Sequence, residues 1–167
     1  DVKYALDLGF TMITLDCSEY IGTGIEDLSK EEVLARYKKN AELEEYYIGK
    51  KFDIGEGVTL TFSDDEFYRI MLIYKEAVEF ATKIYNEFLA DGKYDADFEI
   101  SIDETMTPTT PLQHFFVANE LIKRGVKIAT MAPRFCGEFQ KGIDYIGDLA
   151  QFDREKGNSS PRPWLSG

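Results

Sequence analysis

Between residues 64 and 90 the apolar positions recur at spacings of three and four: Phe67, Ile70, Ile73, Tyr74, Ala77, Ala81, Ile84 and Phe88. That period puts them on one continuous face of a helix of about seven turns. Ser63 starts it, with Glu66 three residues on completing a capping box, and Asp91-Gly92 ends it. Ser29 and Glu32 repeat the box ahead of a predicted helix over residues 30–46, which Gly49 closes. A third helix is predicted over 112–124, ended by Gly125, and residues 1–8 read as the end of another.

Three segments are patterned differently. Residues 10–15 (running to Asp16), 98–103 and 126–131 are short, apolar runs with polar residues just past their ends, as expected of buried parallel strands. Residues 51–62 hold Gly55, Gly57 and a β-rich stretch, and read as an extension or hairpin inserted into the βα pattern. The order strand, helix, insert, long helix, strand, helix, strand indicates an α/β fold with a parallel sheet and helical crossovers. Three strands are too few for a complete (β/α)8 barrel, which takes roughly 200 residues or more. The expectation is therefore a partial TIM-barrel-like segment of a larger chain. Residues 1–153 would be an internal part of the barrel, and 154–167 a loop or tail, rich in Ser, Pro and Gly around Trp164.

Charge narrows the partners. With 31 acidic against 19 basic residues the net charge is −12. This argues against nucleic acid, whose affinity rests on neutralising phosphates, and against anionic membranes. No apolar run approaches the roughly 20 residues that span a bilayer. A small anionic substrate stays compatible, because one Arg or Lys in a cleft outweighs a distant acidic surface. Cys17 and Cys136 are far apart and outside any zinc pattern, which fits free thiols in a reduced, cytoplasmic protein.

In parallel α/β folds, chemistry collects beyond the carboxyl ends of the strands. All three predicted strands end in polar clusters: Asp16-Cys17-Ser18-Glu19, Asp103-Glu104-Thr105, and Pro133-Arg134 running on to Glu138. The only histidine, His114, opens the third helix. It is either a helix-terminal residue without function or a metal ligand. As a ligand it would join Asp16 and Glu104 in a site for zinc, manganese or a similar divalent ion, because imidazole and carboxylate together suit such metals. Side chains alternate along a strand, so only one of Asp103 and Glu104 faces the site; Glu104 is preferred as ligand and Asp103 held in reserve. Arg134 and Lys141 are solvated charges by default. In a Gly-punctuated loop, though, Arg134 can hold a carboxylate bidentately and Lys141 can act as a point charge or proton donor.

Two stretches carry a family resemblance. Ile102-Asp103-Glu104-Thr105, with Pro108-Thr109-Thr110-Pro111 and His114, resembles a motif of the tagaturonate epimerases, also called hexuronate C4-epimerases. Ala132-Pro133-Arg134-Phe135, followed by the run from Gly137 through Glu138, Lys141, Gly142 and Asp144 to Tyr145, resembles the next block of that family. Gly9-Phe10-Thr11, leading to Asp16, is a weaker third match. The resemblance covers residues 1–153. A downstream His-Ser-Gly-Ser-Asp-Lys type motif of the family has no counterpart here, so the implied function belongs to a parent enzyme.

That implied function is interconversion of the sugar acids D-tagaturonate and D-fructuronate with a divalent metal. The two differ at C4 while the ketone is at C2, so one enolisation cannot invert the centre. Retro-aldol cleavage of C3–C4, rotation and re-addition is one route; transient oxidation at C4 is another, although no dinucleotide fingerprint is visible. On the first route the metal sits on Asp16, Glu104 and His114, and Glu138 or Asp144 shuttles the hydroxyl proton. Arg134 or Lys141 holds the substrate carboxylate, and Asp103 is a further candidate for binding the substrate. A metal-dependent aldolase or isomerase of the same fold and a noncatalytic sugar-acid binding module are the competing readings.

Overall fold

The structure, a computed structural model, describes residues 2–55, 57–103 and 107–134. Helix α1 (Val2–Asp7) leads into strand β1 (Met12–Asp16). Helices α2 (Lys30–Arg36) and α3 (Ala41–Tyr47) follow, then strands β2 (Lys51–Asp53) and β3 (Thr59–Thr61). Helix α4 (Asp64–Phe88), strand β4 (Asp97–Ile102), helix α5 (Pro111–Lys123) and strand β5 (Thr130–Pro133) complete the order. Strands β1, β4 and β5 form one parallel sheet with β4 in the centre, and β2 and β3 the expected antiparallel hairpin. The expected boundary near residue 153 and the tail 154–167 lie outside the described residues.

The sheet has two unlike faces. Ile13 and Leu15 of β1 and Phe98, Ile100 and Ile102 of β4 are buried in the core with α4 and α5. Helix α4 carries the capping box foreseen at Ser63 and Glu66, and buries Phe67, Ile70, Ile73, Tyr74, Ala77 and Ala81. Ile84 and Phe88 are only partly buried against the core. The opposite face shows Met12, Thr14 and Asp16 of β1 exposed, alternating with the buried positions.

Two strand starts differ from expectation. Phe10 and Val126 do not begin strands. Gly9 is left-handed at φ 85°, and the Phe10 N–H reaches back to the Ala5 carbonyl at 3.2 Å. Gly125 is left-handed at φ 78°, and the Val126 N–H bonds the Leu121 carbonyl at 3.0 Å. Both are helix terminations that satisfy orphan carbonyls, so β1 starts at Met12 and β5 only at Thr130.

The predicted helix 30–46 is two helices. Tyr37 is extended (ψ 128°), and its ring packs on Phe67 and Tyr68 of α4. Its hydroxyl accepts from Asn40 N–H and donates to Glu44, while the Asn40 side chain caps α3 at Leu43. A break that seats one aromatic ring and caps a second helix thus replaces a continuous helical ladder.

The segment after β1 is held against α4. Arg69 donates to the carbonyls of Ile25 (2.8 Å) and Leu28 (2.9 Å), and Gly22 N–H to that of Ile73 at 2.8 Å. A Cβ on Gly22 would lie 2.4 Å from the Leu72 carbonyl oxygen, which is helix backbone that cannot swing away. Gly22→Ala is therefore expected to destabilise the fold by about 2 kcal/mol through overpacking, read as a lower urea midpoint at unchanged m-value.

Candidate active site

The carboxyl ends of the three parallel strands lie side by side. Asp16 pairs with Ser101, Ser101 with Ala132, and Ile102 with Pro133. The Cys17 N–H extends the ladder to the Ser101 carbonyl. The polar clusters of Asp16, Asp103 and Arg134 thus meet on one edge of one sheet, as the sequence led one to expect.

Each of these residues has a local fixture. Asp16 accepts from the Ser18 N–H at 2.8 Å, and the Ser18 side chain and N–H hold its carboxyl below the usual carboxylate range. Asp103 accepts from the Ser101 hydroxyl. Arg134 is tied through its backbone: its N–H donates to Thr109 Oγ1, and its carbonyl accepts from Thr109 N–H, both at 2.9 Å. Thr109 is also bonded to Tyr74, whose hydroxyl burial pushes up to about 12. Thr107 Oγ1 reaches Glu26 at 3.4 Å, so the loop after β4 touches both the segment after β1 and the end of β5.

Alternation fixes the face of one of the two neighbouring carboxylates. Ile102 is buried under the helices, so Asp103 follows on the open face, in line with Asp16 and Ser101. Glu104 lies outside the described residues, as do Glu138, Lys141 and Asp144.

His114 is the fourth residue of α5, behind the Thr110–Gln113 capping box and Pro111. Burial alone pushes its imidazole down to about 4, so it is neutral at physiological pH, which is the form that ligates metals. Among the described residues no group of three or more His, Cys, Asp and Glu side chains is placed to hold a metal ion. Asp16 and His114 therefore do not make a ligand set with other described residues, and a site built on them requires Glu104 or donors from elsewhere. Cys17 is free, fully buried and pushed up to about 12 by burial and by the Asp16 charge, which leaves it inert as a nucleophile.

Two features escaped the sequence reading. Glu99 and Thr14 stand on the open face with Thr130, visible in hindsight as polar residues alternating through apolar runs. Glu120 is buried on the far side of α5; it accepts from the Tyr47 hydroxyl at 2.7 Å and pairs with Lys123 and Arg124 at 3.3 and 3.2 Å. Nothing in its spacing marks it, because its buried partner comes from α3. A cavity of about 430 Å³ lined by Tyr85, Tyr94, Asp97, Phe98 and Lys127 opens at the amino ends of the strands, away from the rim where chemistry is expected.

A parallel α/β unit with one face sealed by helices and the other polar up to a charged carboxyl-end rim is the arrangement in which parallel α/β folds place their sites. The chain belongs to the tagaturonate epimerase family (UxaE), whose profile matches residues 1–159. It is 39% identical over 157 residues to the tagaturonate/fructuronate epimerase of Thermotoga maritima, covering 93% of this chain and 32% of that protein. It is also similar to crystal structures of the fructuronate-tagaturonate epimerase UxaE from Cohnella laeviribosi. The native form superposes with a TM-score of 0.88 at 46% identity, over 95% of this chain and 33% of that one. A form with two glycerols gives 0.90 at 45%, over 99% and 35%. The chain thus spans about a third of the length of these relatives.

Proposed function

We propose that the full-length enzyme built around this chain interconverts D-tagaturonate and D-fructuronate by inverting C4. The observation that carries this reading is the shared rim of Asp16, Asp103 and Arg134 on the open face, in a chain of the epimerase family. On this reading the three parallel strands are one arc of a (β/α) barrel whose remaining strands cover the open face. The setting is cytoplasmic, in keeping with a free Cys17 and with no described helix long and apolar enough to cross a membrane.

Arg134, pinned through Thr109, holds the substrate carboxylate, with Lys141 as a second cation. Glu138 or Asp144 takes the proton of the C4 hydroxyl. The C3–C4 bonding pair then moves toward C2, leaving an aldehyde at C4 and an enolate whose charge rests on the ketone oxygen. Rotation of the aldehyde and re-addition restore C3–C4 with the other configuration, and the carboxyl returns the proton. Asp16, Glu104 and His114 are the residues proposed to hold a divalent ion, which when bound polarises the ketone.

The test is the full-length enzyme on each sugar acid, followed by NMR in buffer made with D2O. Approach to one equilibrium mixture from both sides without deuterium at C4, and with no primary isotope effect from substrate deuterated at C4, supports carbon–carbon cleavage; deuterium at C4 refutes it, and a primary isotope effect points to oxidation at C4. Release of free three-carbon products as the end point identifies an aldolase instead. Binding without turnover identifies a sugar-acid binding module. Activity lost on chelation and restored by manganese or zinc is expected, and full activity after exhaustive chelation overturns the metal assignment.

A further inference from the structure

Midway down the sheet, one register level crosses all three parallel strands on the open face: Thr14 pairs with Glu99, and Glu99 with Thr130. Both threonine hydroxyls turn to the carboxylate between them. Thr14 Oγ1 donates to Glu99 Oε1 at 3.0 Å, and Thr130 Oγ1 donates to Oε2. A carboxylate has about four lone-pair positions, so this clamp fixes the orientation of Glu99 and leaves acceptor capacity on both oxygens.

The sheet does not need this group for its own cohesion. Ile13, Leu15, Phe98, Ile100 and Ile102 supply the burial on the helix side. All-parallel sheets are almost always covered on both faces, and a carboxylate inside such a structure is destabilising compared with an aliphatic residue of similar volume. A carboxylate held open at this level calls for a polar partner in the space above it.

We propose that Glu99, clamped by Thr14 and Thr130, forms the floor of the substrate cavity and accepts hydrogen bonds from hydroxyls at the ketone end of the sugar acid. The inference rests on the epimerase reading above. Charge sets the direction. The fixed negative charge of Glu99 repels the substrate carboxylate, which points instead to Arg134 at the rim. The open-face residues of β5 and its extension are Thr130, Ala132 and Arg134, so floor and rim are four residues apart, about 13 Å along the strand. The Glu and Arg side chains and a six-carbon acid together bridge that gap. Glu99 thus orients the acid one way round, with the ketone between the floor and Asp16 and with C4 toward the rim.

The test uses the full-length enzyme and Glu99→Gln, which keeps the shape and removes the charge. KM for tagaturonate is expected to rise roughly tenfold, the scale of one charge-assisted hydrogen bond, with a smaller change in kcat and an unaltered melting curve. A folded Glu99→Gln with unchanged KM overturns the proposal. If that variant does not fold, Thr14→Val, which frees one carboxylate oxygen, serves in its place: a severalfold rise in KM supports the floor, and no rise overturns it. The wild type separates the two levels of inference. An inactive wild type removes the proposed epimerase function; an active wild type with an indifferent Glu99 removes only the floor.

Discussion

Tyr47→Ala is expected to destabilise the enzyme by about 4 kcal/mol, in the range of large aromatic truncations in cores. Tyr47 is fully buried and its ring is ringed by others: Phe62 at 5.1 Å, Phe116 at 5.2 Å, Phe52 at 5.6 Å and Phe67 at 5.7 Å between centroids. These rings come from the hairpin, α4 and α5, so a cavity here loosens three elements at once. The hydroxyl adds a second loss. It donates to Glu120, a carboxylate only 3% exposed, and accepts from Asn119 at 2.7 Å. Tyr47→Phe separates the two contributions, because it keeps the ring and removes one donor from the buried carboxylate. It is expected to lose about 1–2 kcal/mol. Urea unfolding of both variants measures the split; equal losses would mean that the hydroxyl, not the ring, holds this junction.

The second large effect is a pH dependence carried by His114. In the unfolded chain its pKa is 6.5, and in the fold burial lowers it to about 4. The native state therefore favours the neutral imidazole. Between these values the unfolded chain binds a proton that the folded one does not, so stability is fully present above pH 6.5 and lost as pH falls toward 4. From about pH 7.5 to 4.5 the metal-free protein should lose on the order of 2–3 kcal/mol by this route. His114→Asn should lack that component, so the difference between wild type and variant shrinks by the same amount over the same interval. Asp16 contributes in a separate window, because its lowered carboxyl loses its stabilising bonds only at more acid pH, below its ordinary 3.8. A wild type and variant with parallel pH profiles would show that His114 is not buried as a neutral group. A bound divalent ion should steepen the dependence, because it too takes only the neutral ring.

Much of this protein was determined locally by its sequence. The boxes at Ser29 and Ser63 start helices where they were read, because a side-chain oxygen three residues from its N–H partner needs no tertiary help. The long apolar stripe buries most of the positions named from spacing alone, and the parallel order followed from alternation of strands and helices. Asp16, Asp103 and Arg134 were legible as a rim because each follows an apolar run and parallel strands end on the same edge.

Tertiary structure decided the rest. Phe10 and Val126 look like strand residues by composition, but a left-handed glycine before each turns it back to close a helix. Tyr37 broke a helix because α4 offers it two aromatic partners that no local pattern reveals. Glu99 gained its meaning only when Thr14 and Thr130, one from each neighbouring strand, were brought to its two oxygens. Local signals survive because they are satisfied within one turn or one strand. Contacts across the sheet and between helices depend on partners far apart in sequence, and register alone brings those together.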